Sequence, residues 1–164
     1  MSTYDDTRWA NVTLADILVS LQVPHGWDAF PEEFGATLRA PVEAEVTPTV
    51  TLQVGEPEQP GLAWWRDFTE QVVGHLIDTA PGFSFVDQDE FRLSSLGAEV
   101  YVVRGHWESD DPTLPETAQL QAWIWAGSTR MYQVSAVTSL QHEDRDLPVF
   151  EHLLRSIRLL PERP

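Results

Sequence analysis

The chain contains no cysteine and no lysine. Without cysteine there is no disulfide, no thiolate metal site and no cysteine nucleophile, and nothing marks a redox compartment. Long apolar runs are missing too, and a bilayer-spanning helix needs roughly 20 such residues. The opening Met1-Ser2-Thr3-Tyr4-Asp5-Asp6 has no basic stretch followed by an apolar one, so it lacks the marks of a secretory signal. The expectation is a cytoplasmic chain. Positive charge is scarce: ten arginines face 26 Asp and Glu, for a net charge of −16. Such a surface repels phosphate backbones and anionic lipid, which predicts neither nucleic acid nor a membrane surface as a partner. Solubility is the plain reading of that charge; a basic partner is the sharper one.

What is present suits one domain spanning residues 1–164, with 42% hydrophobic residues to build a core and seven tryptophans that must be buried or in contact. Met1 to Ala15 reads as a loosely held lead-in. Ile17–Val23, Phe34–Arg39 and Val50–Val54 read as strands, the first stopped by Pro24-His25-Gly26-Trp27 and the second by Pro41. Pro57, Pro60 and Gly61 then break the chain before a helix over Leu62–Thr79, whose Trp65, Phe68, Val72 and Leu76 fall on one stripe. Pro81-Gly82 ends it.

Extended runs follow at Phe83–Val86, Phe91–Leu96, Val100–Trp107 and Leu120–Trp125, with a last strand at Met131–Val137 reached through a turn at Gly127-Ser128. The acidic segment Glu108–Thr117, with Pro112 and Pro115, reads as an exposed loop. A second helix is predicted near Leu147–Leu159, with Leu147, Phe150, Leu153, Leu154 and Ile157 as its apolar stripe, Asp144 or Asp146 as its cap and Pro148 in its first turn. Strands joined by short turns pair antiparallel. The fold class is therefore α+β: an antiparallel sheet of about six or seven strands with two main helices packed on it.

This order resembles the PsbP-like fold, and within it the small actinobacterial proteins related to the LpqN lipoproteins. The resemblance covers nearly the whole chain. It rests on Val23-Pro24-His25-Gly26-Trp27, the Pro48–Val54 strand before a long helix, Leu96-Gly97-Ala98, Gln121, Tyr132-Gln133-Val134 and the ending Phe150-Glu151-His152-Leu153-Leu154-Arg155-Ser156-Ile157. Against the lipoproteins, the sequence reads without their leader and lipid-bearing cysteine, so envelope attachment is not among the expectations. The resemblance implies a non-enzymatic accessory or binding module, as in a photosystem subunit, a small-GTPase binding protein, secretion chaperones and envelope lipoproteins. It brings no catalytic residue with it.

The residues themselves offer no catalytic set, no cofactor motif and no metal set. His25, His75, His106, His142 and His152 lack the helical pairing of a zinc protease. Asp87, Asp89 and Glu90 lack the glycine and the distal glutamate of a calcium loop and read as a solvated turn. Ser94-Ser95 lacks a nucleophile elbow, and no Gly-rich phosphate loop occurs.

Aromatic placement says more. In Gln119–Trp125, alternation sends Leu120, Ala122 and Ile124 to one face and Gln119, Gln121, Trp123 and Trp125 to the other; on the preceding strand Val100 and Val102 oppose Tyr101, Val103 and Trp107. Both faces need covering. Either the lead-in or the Pro-rich loop folds over the rings, or Trp123, Trp125, Gln121, Trp107 and Tyr101 form a face that docks a partner or pairs two copies. The leading reading is thus a protein-binding or self-associating module. The alternative is a carrier of a small apolar or lipid ligand walled by Trp64, Trp65 and Trp27; an enzyme built from scattered carboxylates and a histidine comes third.

Overall fold

Period-two alternation and short turns dominate the sequence, and the computed structural model, which describes residues 6–42, 46–58, 61–127 and 130–162, turns both into antiparallel sheet. The elements in order are β1 (Trp9–Leu14), β2 (Val19–Pro24), β3 (Asp28–Glu32), β4 (Gly35–Arg39), β5 (Thr49–Gly55), α1 (Leu62–Thr79), β6 (Phe83–Arg92), β7 (Glu99–Trp107), β8 (Thr117–Trp125), β9 (Met131–Ser139), α2 (Glu143–Arg155) and β10 (Arg158–Leu159). Seven strands form one sheet in the order β3-β4-β5-β9-β8-β7-β6, and β1-β2-β10 form a second. The class is α+β, and the order of strands and helices matches the sequence reading.

The two helices cover opposite faces of the large sheet, and β7 shows why. Its Val100 and Val102 point to one side, where they join Leu120, Ala122, Ile124, Tyr132 and Val134 beneath Phe150, Leu153 and Leu154 of α2. The small sheet closes this main core through Val19, Leu21 and Val23. On the same side, Arg104 pins α2 to β7 and β6: its Nε donates to Glu151 at 2.8 Å and its NH1 to Asp87 at 3.0 Å. Tyr101 and Val103 point the other way, into a second core with Trp123 beneath Trp65 and Val72 of α1. Two apolar faces on one sheet thus receive one helix each.

A buried tyrosine ties the N-terminal segment to the large sheet. The Tyr132 hydroxyl donates to the Ile17 carbonyl at 2.7 Å and accepts from Arg130 at 3.1 Å. Burial pushes the Tyr132 phenol above its ordinary range, more than the neighbouring Arg130 pulls it down.

Several sequence expectations are corrected here. Residues 9–14 of the expected lead-in are β1, paired with β2 in the register Trp9↔Pro24 to Leu14↔Val19; residues 1–5 lie outside the described residues. Ala15–Ile17 are a short 3₁₀ turn, so β2 begins at Val19. The two runs expected at Phe83–Val86 and Phe91–Leu96 are largely one strand, β6, interrupted by a register shift between Phe85 and Asp87. Asp87 and Asp89 therefore sit on a strand, and each meets an arginine: Arg104 at 3.0 Å and Arg155 at 3.2 Å.

The second helix starts a turn early, at Glu143, and stops at Arg155, which leaves Pro148 inside the helix. Asp144 and Asp146 lie in its first turn, and neither caps it by a side-chain hydrogen bond. Asp146 is buried, accepting from Thr138 Oγ1 at 2.6 Å and from Arg145 at 2.8 and 2.9 Å. At the two other breaks, Gly127 has φ 85° while Ser128 and Pro60 lie outside the described residues.

The margins of the large sheet are β3 and β6. β3 is exposed along its length and includes Pro31, which has no N–H to offer a further strand. On β6 the register shift leaves Val86 without a cross-strand partner and half-exposed.

Candidate functional site

Helix α1 carries two overlapping stripes. Trp65, Phe68, Val72 and Leu76 turn toward the sheet, as their spacing predicts. Trp64, Asp67, Phe68 and Gln71, at i, i+3, i+4 and i+7, form a second stripe that looks sideways along the sheet. The helix is held down by rings. Trp65 stacks on Trp125 with centroids 6.1 Å apart and planes 11° apart, and Phe68 stands edge-on to Trp123 at 5.8 Å. Phe68 also stacks between Trp64 at 5.4 Å and Trp65 at 5.7 Å. Gly82, at φ +87°, lets the chain leave the helix and turn straight into β6, where Glu108 N–H donates to the Gly82 carbonyl at 3.0 Å.

α1 covers only part of its face. Beside it, over β5 and β9, lies an open cleft of about 570 Å³. Trp64, Phe68, Trp123 and Met131 make its apolar side; Gln53, Gln71 and Gln133 supply amides; Glu56, Glu58 and Asp67 supply carboxylates. The sheet register brings the amides together, since Gln53 of β5 pairs with Gln133 of β9, which pairs with Trp123 of β8. Alongside runs a polar ladder: Ser135 Oγ donates to Gln121 at 2.6 Å, Gln121 to Gln119 at 3.2 Å and Gln119 to Thr117 at 3.2 Å. Aromatic surface, amides and one sign of charge suit recognition of an apolar or cationic group.

The five residues expected to form an exposed partner or dimer face are placed differently. Trp123 and Tyr101 are buried, at 6% and 4% exposure, because α1 lies over them. Trp125 lies half-buried under Trp65, and among the described residues its indole N–H has no acceptor. Gln121 is engaged in the polar ladder, and Trp107 sits at the far end of β7, donating to the Pro81 carbonyl at 3.1 Å. The alternation was read correctly. The lid is α1, neither the lead-in nor the Pro-rich loop, and it occupies the surface on which a second copy was expected to dock. The Tyr101 hydroxyl donates to Gln88, and burial, helped by Glu90, raises its pKa.

Of the expected ligand walls, Trp64 lines the cleft, Trp65 lies beneath the helix, and Trp27 packs against the main core. Sequence reasoning missed the amides and acids. The 64/67/68/71 stripe was visible, but the contributions of β5 and β9 follow from pairing between residues 80 positions apart, such as Gln53 and Gln133. Among the described residues no three His, Asp or Glu side chains gather as a metal ion would need. His106 pairs with Glu143 and His142 with Ser139, while His152 stacks on Trp9 at 3.7 Å and meets Gln22 at 2.8 Å. Among the described residues no helix is long and apolar enough to cross a membrane.

No protein-family model matches the chain, and no curated protein matches it in sequence. Its fold does have solved counterparts. LpqN of Mycobacterium tuberculosis, involved in cell envelope biogenesis, is 15% identical and superposes with a TM-score of 0.65 over 98% of both chains. The Ran-binding protein Mog1p of Saccharomyces cerevisiae is 10% identical with a TM-score of 0.62, covering 94% of this chain and 96% of its own. The PsbP protein CyanoP of Synechocystis is 10% identical with a TM-score of 0.62 over 93% of each chain. The fold is PsbP-like, and at these identities the likeness carries the fold alone.

Proposed function

We propose that this chain is a non-enzymatic accessory module that binds another protein, receiving a partner segment with apolar and basic side chains in the cleft beside α1. The observation that carries this reading is the pairing of an aromatic floor with a rim of one charge: Trp64, Phe68 and Trp123 beside Glu56, Glu58 and Asp67, with no arginine lining it among the described residues. An apolar side chain laid on Trp64 removes ring surface from water, and a neighbouring Arg or Lys meets both carboxylates and ring faces. A strongly acidic chain also speeds the approach of a basic partner. Support from similar folds is general: one such structure is a Ran-binding protein and another takes part in envelope biogenesis.

The test is a fluorescence titration with a peptide of alternating Leu and Arg, against the same peptide with Glu in place of Arg. The Leu/Arg peptide saturates and weakens with added salt, and Trp64→Ala weakens it about tenfold. Asp110→Asn with Asp111→Asn, in the exposed β7–β8 loop, leaves it unchanged. Equal loss in both variants would reduce the binding to diffuse charge attraction and sink the reading.

A small apolar ligand is the second reading, since the cleft of about 570 Å³ falls in the roughly 300–1,000 Å³ range of ligand sites. Saturable binding of a medium-chain fatty acid, lost in Trp64→Ala with no peptide binding, would favour it.

A further inference from the structure

On the α2 side of the molecule a second cleft runs counter to the chain's overall charge. Three of the ten arginines, Arg92, Arg155 and Arg158, line it, and no Asp or Glu does among the described residues. Its volume is about 860 Å³, and it lies where the end of β6 and the end of α2 meet the small sheet, β10 included. Asn11 and Ser94 add neutral polar groups.

Two of the arginines are held by carboxylates that do not line the cleft. Arg92 donates to its cross-strand neighbour Glu99 through Nε at 3.1 Å and through NH2 at 2.5 Å. Arg155 donates through one nitrogen to Asp89 at 3.2 Å and lies over the Phe91 ring at 4.1 Å. Each guanidinium has five N–H donors, so both keep donors for a ligand. Arg158 is exposed on β10 and has no carboxylate partner among the described residues. The carbonyls at the end of α2 would oppose an anion, but they are engaged: Leu153 accepts from Ser156 Oγ at 2.6 Å and Leu154 from Ile157 N–H at 3.3 Å.

We propose that this arginine cleft binds the phosphate group of a small phosphomonoester. Three planar donors match three terminal oxygens of one phosphate, whereas a carboxylate offers two. A small ligand is favoured over a polymer because the net charge of −16 repels an extended polyanion. Inside the cleft the arginines lie closer to the ligand than a Debye length of about 8–10 Å, so their attraction is the least screened.

The experiment is calorimetry on the full chain with inorganic phosphate, glycerol phosphate and citrate at fixed ionic strength. Glycerol phosphate and phosphate bind saturably in the sub-millimolar to millimolar range and more tightly than citrate. Arg92→Gln with Arg158→Gln weakens both at least about tenfold, and Arg158→Gln alone, at an exposed position, gives a smaller loss if the double variant folds poorly. Trp64→Ala, in the other cleft, leaves phosphate binding intact, so this proposal and the partner-binding one fail separately. No saturable binding, binding undiminished in the arginine variants, or citrate binding as tightly as the phosphomonoester would each overturn it.

Discussion

Trp65 of α1 lies nearly parallel on Trp125 of β8, 6.1 Å centroid to centroid, and this stack fastens the long helix to its face of the sheet. Around it, Phe68 and Trp123 meet edge to face, an arrangement that adds roughly 0.5–1.5 kcal/mol per pair beyond area burial. Removing the buried Trp65 ring, Trp65→Ala, is expected to cost about 3–5 kcal/mol. Phe68→Ala costs less, because that ring is only half-buried. Urea melts of the two variants check the order; a larger loss at Phe68 would mean that the helix is anchored from its cleft side.

The main core offers the comparison. Phe150 is 1% exposed beneath the sheet, and Phe150→Ala is expected to cost about 3–5 kcal/mol through lost burial and a cavity. A change below about 1 kcal/mol in the same melts would contradict its placement in the main core.

Asp146 is the polar counterpart. Its carboxylate receives Thr138 and Arg145 in a buried position, so Asp146→Ala leaves a buried hydroxyl unpaired and is expected to cost about 1–3 kcal/mol. The double variant with Thr138→Val recovers part of that loss, which a double-mutant cycle measures directly.

Gly82 holds φ +87°, and a Cβ there would stand 2.0 Å from the Glu108 carbonyl oxygen. Gly82→Ala therefore meets the left-handed penalty of roughly 1–2 kcal/mol together with a backbone collision. The expected result is a fall of at least that size in unfolding free energy; a neutral variant would show that the α1–β6 turn relaxes freely.

His152 gives a pH prediction. Burial against Trp9 lowers its pKa below the ordinary 6.5. The unfolded chain then binds the proton more readily than the folded one, so stability is fully present above about 6.5 and falls as pH drops from there through the folded pKa. Urea midpoints measured across that interval should decline for the native chain and stay flatter for His152→Gln.

The elements most legible in the sequence had signals at both ends. The breakers Pro57 and Gly61 before α1 and Pro81-Gly82 after it, with a clean apolar stripe between, matched the observed Leu62–Thr79. The alternation of β8 correctly sorted its residues to two faces. Periodicity reports that a face is covered but not by what, which is why Trp123 and Tyr101 read as an open surface. β1 escaped notice because its strand is mostly half-buried to exposed and β10 because it has only two residues; both acquire strand structure from β2. The start of α2 was misplaced because Pro148 suits a first turn, while Glu143, Asp144 and Asp146 looked like the approach to the helix.

The two margins of the large sheet have a consequence for the molecule in a crowd. An open antiparallel sheet can be extended by any neighbouring chain, and its outer strands usually decide whether a protein polymerises. Here one margin ends in a strand that carries Pro31 together with Asp28 and Glu32, and the other shifts register at Val86, beside Asp87 and near Asp89. A neighbour approaching either side meets a missing donor or a broken register, and carboxylates in both places. Concentrated solutions should therefore remain free of sheet-extended fibrils, and replacing Pro31 by Val with Glu32 by Thr should let them form.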